Sequence, residues 1–503
     1  MGGLRERLIA ASVVALTAAL GAANPAAARR TPPVSGPRVG VVQTSPDLRQ
    51  ALTAGRGLRF SNRPVAAGPV IRVDSGVRFQ SFRGAGGALT DSSAWLIGTR
   101  LRPGTRAWLL RHLFGPSGIN LNLIRLPVGA ADFTAGRAPY SYDDMPAGQS
   151  DPTLSHFSIA HDLAYVIPVL RQAIALTERP FILASPWSPP GWMKSNDSMA
   201  NTAGTGALLP ADYGVLAQYL VRFLQAYQQA GVAIQGLTPQ NEPGQQSTYP
   251  GMMLTEPQEA TLIASNLAPA MRQAGLRTRI FAFDSNWAGE APFAGALLSS
   301  AAAPDLGGFA THCYYGSPTA MAAVHRMAPG LEEIESECAP GGLNSPVPEL
   351  EIASLREWAT GVELWNLALD PQGGPVQPPN YGCLGCRGIV TVNPTTGGVR
   401  LGRTYYQLGQ LARFVRPGAV RIASNNFVNY TYPFLGADIA SFGLDDVAFR
   451  NPNGSEALVT YNGAPAPVTF SVREGKQAFT TTLASGTTAT FTWRPAGGRR
   501  TVR

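Results

Sequence analysis

Short apolar runs alternate with longer amphipathic stretches from Gly84 onward. The apolar runs have the length of a β-strand and number eight, at residues 84–89, 121–128, 181–187, 234–239, 279–284, 308–314, 331–338 and 362–367. Such continuous runs are typical of strands buried on both faces of a parallel sheet. Between the third and fourth runs, one helical face is formed by Leu216, Leu220, Phe223, Leu224 and Tyr227. Eight strand–helix units over about 330 residues predict an α/β fold, a (β/α)8 TIM barrel.

The hydrophobic period changes to two after the last predicted helix, at residues 404–414. Apolar and polar side chains alternate over residues 468–472 and 489–493, which predicts an antiparallel β-sandwich side domain. Strand-like pieces that precede the barrel have no partner in it, so we expect them to join the sandwich. The predicted units are N-terminal strands at residues 39–83, the barrel at residues 84–416 and the C-terminal sandwich at residues 417–503.

The first 28 residues have the layout of a secretory signal peptide. Arg5 and Arg7 precede an apolar stretch of 13 residues, 8–20, and a small-residue cleavage site follows at residues 26–28. The stretch is too short to span a bilayer as a helix. We therefore predict signal peptide 1–28, a disordered leader at residues 29–38 and a secreted, extracellular protein without a membrane span.

Cysteine usage fits an exported protein without indicating a disulfide scaffold. Cys383 and Cys386 have a spacing found in loop disulfides, redox pairs and half-sites for zinc. A zinc site needs two further ligands, and no paired Cys/His motif supplies them. The spacing therefore favours a loop disulfide, while the pairing of Cys313 and Cys338 stays open.

Composition gives little reason to expect an anionic partner, although the net charge is +8. Charged residues make up only 14% of the chain, and neither a basic run of five residues nor an RNA-reading motif is present. We therefore expect no nucleic-acid binding. The five histidines show no metal-ligand spacing, and the glycines at residues 84–87 lack that of a dinucleotide-binding loop, so no metal or other cofactor is expected.

Two of the predicted strands end in carboxylates. Glu242 follows the fourth strand and Glu337 closes the seventh, so they lie on opposite sides of the ring at its C-terminal face, where such barrels carry their active sites. Glycoside hydrolysis requires a facing carboxyl pair: one group protonates the departing oxygen, and the other attacks or stabilises the anomeric carbon. Aromatic side chains of the kind that stack on sugar rings end other strands, at Trp187, Trp192, Tyr314 and Trp365.

Seven sequence blocks in order resemble glycoside hydrolase family 30, and most closely its glucosylceramidase-like branch. They are residues 84–91 (GAGGALTD), 124–127 with 131–133, 184–194 (ASPWSPPGWMK), 241–243 (NEP), 312–314 (HCY), 336–338 (SEC) and 364–375. The likeness extends from about residue 84 to residue 416 and is weaker in the sandwich. It implies a retaining β-glycosidase.

The resemblance also implies roles for individual residues. Glu242 is then the general acid/base, Glu337 the nucleophile, and Asn241 a hydrogen-bond partner of the sugar 2-hydroxyl. Arg125 lies beneath the nucleophile and keeps it ionised. Retention further predicts carboxyl groups about 5–5.5 Å apart, against roughly 6.5–9.5 Å in an inverting enzyme.

The remaining implied residues surround the first sugar. Asp91 and Trp187 hold its distal hydroxyls, Tyr314 orients the nucleophile, and Trp365 forms the floor of the pocket. His312 is expected to be a hydrogen-bonded barrel residue rather than a metal ligand.

Two positions depart from the family pattern. Position 335 is a glutamate where an apolar residue is usual, and side-chain alternation would place Glu333, Glu335 and Glu337 on one face of the strand. Glu335 is therefore a competing candidate for the nucleophile, its alternative role being a buried partner for Arg125 or another inward base. Cys313 stands where an aromatic residue is frequent, and we expect this smaller side chain to loosen the wall of the pocket.

The resemblance implies β-glucosidase or glucosylceramidase activity on a β-linked glycoside or glycolipid, by an enzyme we expect to be a monomer. An endo-β-1,6-glucanase or galactanase is an alternative, because the same catalytic set serves a closed pocket or an open cleft. A non-catalytic carbohydrate-binding barrel is a further alternative, which the presence of both carboxylates and the surrounding aromatics disfavours.

Overall fold

A closed barrel forms the centre of the molecule. The computed structural model describes residues 36–495, apart from residues 63–64, 66, 137, 340–345, 377–382, 384 and 428–442, so the predicted signal peptide and most of the leader lie outside it. The barrel strands, all parallel and in chain order, are Gly84–Ala88, Leu123–Pro127, Phe181–Ser185, Gly236–Leu237, Arg279–Asn286, Leu306–His312, Glu332–Cys338 and Ala359–Leu364. The eighth strand pairs with the first and closes the ring. The predicted TIM barrel is confirmed.

Helices cover the outside of the barrel. They are Asp91–Trp95, Pro103–Phe114, Ala160–Ala164, Val166–Ile174, Tyr213–Gln229, Glu256–Thr261, Ala268–Gln273, Trp287–Leu298, Thr319–Met327, Val347–Arg356 and Arg403–Ala412. The helix Tyr213–Gln229 buries all five apolar residues that predict it. Within the described ranges, no helix combines the length and the apolar character that crossing a membrane requires.

A second, ten-stranded sheet forms the β-sandwich. Its main strands, in spatial order, are Thr53–Ala54, Arg38–Thr44, Thr488–Trp493, Glu456–Asn462, Leu444–Arg450, Val420–Ala423, Val70–Ser81, Val468–Glu474 and Gln477–Leu483, with Leu58–Arg59 beside Arg38–Thr44. All pairs are antiparallel except Val70–Ser81 with Val468–Glu474. Strands that precede the barrel thus lie in the same sheet as strands that follow it. Their apolar side chains, such as Phe60, Phe479 and Phe491, form a core separate from that of the barrel.

Irregularities in two barrel strands determine which side chains face the inside. In the fifth strand the register with the sixth shifts between Phe283 and Ser285, where Phe283 and Asp284 have left-handed φ angles of 77° and 50°. Such angles are costly for residues other than glycine and persist only where surrounding contacts hold them. The shift turns Asp284 into the barrel.

The expectation that Glu333, Glu335 and Glu337 share one face is wrong. A register shift makes Ser336 an extra residue of the seventh strand, so alternation breaks there and both Ser336 and Glu337 face inward. Glu333 and Glu335 instead lie against Glu290 and Trp287 of the helix Trp287–Leu298, on the outside of the barrel. Glu335 is therefore too far outside the barrel to act as the nucleophile, and it is not a partner of Arg125.

Two disulfides are present. Cys313–Cys338 joins the segment after the sixth strand to the end of the seventh, which resolves the pairing that the sequence leaves open. Cys383–Cys386 is the loop disulfide that the spacing favours.

Candidate active site

Glu242 and Glu337 face each other across the mouth of the barrel. Glu242 follows the short fourth strand with a φ of 43°, and its amide donates to the Asp284 carbonyl at 2.9 Å. Glu337 is the penultimate residue of the seventh strand. Three atoms lie within 4.8 Å of one another: one carboxylate oxygen of Glu242, one of Glu337 and a ring nitrogen of His312. The structure thus brings together the two carboxylates that the sequence singles out.

Glu337 receives hydrogen bonds on both oxygens. Arg125 Nη1 donates to Oε2 at 2.7 Å, and the Tyr314 hydroxyl donates to Oε1 at 2.9 Å. Burial raises the pKa of Glu337, while the charges of His312 and Arg125 act in the opposite direction. The predicted contact with Arg125 is present, but burial outweighs its effect on the pKa.

Arg125 hydrogen-bonds several of the polar side chains that form the site. It is fully buried, and its Nη2 donates to Asn241 Oδ1 at 2.7 Å and to Asp284 Oδ2 at 2.8 Å. Burial alone would lower the pKa of the guanidinium, but the charges of Asp284 and Glu337 outweigh it and the pKa is raised. A permanently charged fork of this kind fixes both the nucleophile candidate and the neighbour of the acid candidate in one geometry.

Asp284, at the inward turn of the fifth strand, is a site residue that sequence reasoning missed. Its carboxylate accepts from Arg125 and His312, and from the hydroxyls of Ser185 at 2.5 Å, Thr238 at 2.9 Å and Ser336 at 2.8 Å. Burial opposes the charged form, yet Arg125 and the other donors hold the pKa well below its usual range. The sequence does contain a signal for this residue, because Asp284 ends a predicted strand just as Glu337 does.

His312 lies between two carboxylates. Its Nδ1 is 3.1 Å from Glu242 Oε1, and its Nε2 is 3.1 Å from Asp284 Oδ1. Burial would lower the pKa, but Glu337, Asp284 and Glu242 outweigh it and raise the pKa to about 10. The ring is therefore a buried imidazolium that donates from both nitrogens, rather than a neutral packing residue.

Aromatic rings line one side of the mouth. Trp187 and Trp365 stack with centroids 5.0 Å apart and planes 20° apart, and Phe133 meets Trp365 edge-on. Both tryptophans are almost fully buried, and the Arg125 guanidinium lies 5.0 Å from the Trp187 centroid. The structure thus places Trp365, the ring that the resemblance implies as the floor of the pocket, directly against Trp187.

Asp91 stands at the edge of this group. It opens the helix after the first strand, and its carboxylate accepts from the Ala135 amide at 2.7 Å, His161 at 2.8 Å and Tyr165 at 2.6 Å. A carboxylate has about four acceptor positions, so one remains for a further donor. The contacts with His161 and Tyr165 are not foreseen from the sequence.

Asp132 is a third carboxyl group close to the facing pair. It hydrogen-bonds the Trp365 side chain, and burial together with the charges of Glu337 and Glu242 raises its pKa well above the usual range. Sequence reasoning includes it in a motif but gives it no role. A neutral carboxyl here can donate as well as accept a hydrogen bond.

A barrel with two facing carboxyl groups and an aromatic floor at its C-terminal face defines a glycoside hydrolase. Residues 82–415 match the glycosyl hydrolase family 30 TIM-barrel domain, and residues 418–491 match the β-sandwich domain of the same family. The chain belongs to glycoside hydrolase family 30.

Individual relatives differ in their named activities. The chain is 32% identical to endo-1,6-beta-D-glucanase neg1 of Aspergillus fumigatus, over 79% of this chain and 82% of the relative. It is 28% identical to the lysosomal acid glucosylceramidase of Mus musculus, over 92% and 91%. Among solved structures, the endo-beta1,6-glucanase BT3312 superposes with a TM-score of 0.78 and 26% identity, over 91% of this chain and all of the other.

Proposed function

We propose that the protein is a retaining endo-β-1,6-glucanase. The observation that carries the mechanism is the separation of less than 4.8 Å between oxygens of Glu242 and Glu337. Retaining glycosidases hold their carboxyl groups about 5–5.5 Å apart, whereas inverting enzymes need roughly 6.5–9.5 Å to admit a water molecule between carboxylate and sugar. The spacing found here supports direct attack by a carboxylate.

In the first step, Glu337 attacks the anomeric carbon while Glu242 gives its proton to the departing oxygen. The hydrogen bonds from Arg125 and Tyr314 fix the carboxylate of Glu337 in its attacking orientation. In the second step, Glu242 takes a proton from water, which hydrolyses the glycosyl-enzyme ester and regenerates both residues. Asn241, whose Oδ1 is held by Arg125, keeps its amide group for the sugar 2-hydroxyl.

The substrate proposal rests on the relatives. Endo-1,6-beta-D-glucanases of Aspergillus fumigatus and Neurospora crassa are 32% and 33% identical to this chain, above the 28% of the mouse glucosylceramidase. The higher identity to the glucanases favours β-1,6-glucan over a glucosylceramide as the substrate. It therefore favours endo-β-1,6-glucanase activity, which the sequence analysis gives as the alternative to glucosylceramidase.

Digestion of a β-1,6-glucan such as pustulan tests the proposal. We expect short β-1,6-linked oligosaccharides before free glucose, and proton NMR in the first minutes shows the β-anomer first. Release of glucose alone would refute endo action, and early appearance of the α-anomer would refute retention. Glu337→Gln should abolish turnover.

Glu335→Gln is the matched control. It lies two residues away in the same strand but points outward, and burial raises its pKa well above the usual range, so an amide replaces a neutral carboxyl group. We expect it to keep wild-type turnover. If Glu335→Gln were inactive and Glu337→Gln active, the nucleophile assignment would be wrong.

Glucosylceramidase activity is the second candidate, because the mouse enzyme aligns over the largest share of this chain among these relatives. Glucosylceramide in detergent micelles, assayed beside pustulan, separates the two. Faster turnover of the lipid than of the glucan would replace the first proposal with the second.

We also propose that the protein is exported. The signal-like segment at residues 1–28 supports this, and so do two disulfides, which persist in oxidising compartments. Mass spectrometry of protein from culture medium should give an N-terminus near residue 29.

A further inference from the structure

A cluster of metal-ligating side chains lies outside the carboxylate pair, in the long loop between the second barrel strand and the helix Ala160–Ala164. It consists of Asp143, Asp151 and His156. One ligand atom from each lies within 4.8 Å of the other two. The candidate mechanism uses none of these groups.

Asp143 is the observation that points to a ligand. Its side chain is 1% exposed, and neither carboxylate oxygen has a hydrogen-bond partner. Arg222 lies close enough for its charge to act on Asp143, yet it donates its hydrogen bonds to the carbonyls of Thr153 and Leu154. A buried carboxylate without a partner is costly, and Asp151 beside it adds a second negative charge.

Asp151 and His156 supply the other two ligands in a fixed position. The Thr153 hydroxyl donates to Asp151 Oδ1 at 2.8 Å, and the His156 amide donates to Oδ2 at 2.8 Å, so the carboxylate cannot rotate away. His156 Nδ1 lies 2.9 Å from Oδ2. Neighbouring ligands of a tetrahedral ion, bound at about 2.1 Å, are about 3.4 Å apart, so these two hydrogen-bonded atoms need to separate by only about 0.5 Å to bind the same ion.

We propose that Asp143, Asp151 and His156 bind a divalent transition-metal ion such as Zn²⁺ or Mn²⁺. Two carboxylates and one imidazole suit these ions, whereas Ca²⁺ and Mg²⁺ favour sites built from oxygen alone. The ion cancels the repulsion between the two buried carboxylates. The loop is itself joined to the segment after the third barrel strand, because the Asp143 carbonyl accepts from Trp192 Nε1 at 2.8 Å.

The test is metal retention by the full chain. Protein stripped with EDTA is dialysed against micromolar Zn²⁺ or Mn²⁺, and bound metal is measured by mass spectrometry. We expect about one ion per chain in the wild type and at least tenfold weaker binding in Asp143→Asn. His156→Gln should behave like Asp143→Asn, and its side chain is 64% exposed, so this variant tests the site without a risk to folding.

Two controls separate this site from others. His112→Gln removes a partly exposed histidine outside the cluster and should leave retention unchanged. Glu337→Gln should also keep the ion, which distinguishes the proposed site from the similar spacing of Glu242, His312 and Glu337. A wild type that retains no metal, or equal retention by Asp143→Asn, overturns the proposal. Retention of Ca²⁺ that His156→Gln does not weaken overturns the proposed ligand set.

Discussion

Replacing Asp284 by asparagine removes the negative charge at the centre of the candidate active site. Oδ1 accepts from His312 and Ser336, and Oδ2 accepts from Arg125, Ser185 and Thr238. The amide keeps one acceptor oxygen and puts an NH2 group in place of the other. At least two of the five donors therefore lose their acceptor, and Arg125 loses one of its two counter-charges.

The expected loss of stability is large. Removing one partner of a buried ion pair costs about 3–5 kcal/mol, because the other charge stays buried without compensation. The loss also depends on pH. The pKa of His312 is raised from 6.5 to about 10, so its contribution to stability is full below pH 6.5 and is lost as the pH rises toward 10. Asparagine removes one cause of that shift, so in the variant the alkaline decline is smaller and ends at a lower pH.

In acid, stability changes with pH in the opposite direction, because it depends on Asp284. The pKa of Asp284 is depressed below 3.8, so its contribution is present above pH 3.8 and is lost as the pH falls below that value. The stability difference between wild type and Asp284→Asn should therefore be greatest between about pH 4 and pH 6.5 and should shrink in stronger acid.

Melting curves followed by near-ultraviolet circular dichroism from pH 3 to pH 10 measure this. Asp47→Asn is the control, because the side chain of Asp47 is 53% exposed and forms a surface ion pair with Arg49, and such pairs contribute little. Equal melting temperatures for wild type and Asp284→Asn at pH 6, or parallel pH profiles above pH 7, would refute the reasoning.

Three further changes test separate parts of the structure. Tyr314→Phe removes a hydrogen bond to a charged group, worth about 1.5–3 kcal/mol, so kcat on pustulan should fall about 10- to 100-fold. Tyr165→Phe removes a donor to Asp91 and should raise KM several-fold with little effect on kcat; an unchanged KM would argue against a sugar-binding role for Asp91. Replacing Cys313 and Cys338 together by alanine should cost about 3 kcal/mol, seen as a lower melting temperature, and equal melting with and without reductant in the wild type would contradict this.

The sequence predicts the barrel because its strands are buried on both faces and read as continuous apolar runs. Each of the eight predicted runs overlaps a barrel strand; Glu337 lies at the end of the seventh strand, and Glu242 follows the fourth. Patterning of this kind identifies elements and the edge at which their ends meet, which is enough to find Glu242 and Glu337.

The features that the sequence does not reveal depend on local irregularities in the barrel strands. Strict alternation puts Glu335 on the same face as Glu337, and only the extra residue at Ser336 separates them. Asp284 faces inward because two residues adopt left-handed angles, which no periodicity encodes. The pairing of Cys313 with Cys338 likewise depends on how two neighbouring strands end.

The strand Arg38–Thr44 pairs with Thr488–Trp493, so the sheet joins the beginning of the chain to its end. During synthesis on the ribosome, the first of these strands emerges more than 400 residues before its partner. The eight barrel strands are complete by Leu364, whereas the sheet must wait for the final segment. A nascent or prematurely terminated chain therefore carries an unpaired strand edge, the feature that most readily recruits other chains into aggregates.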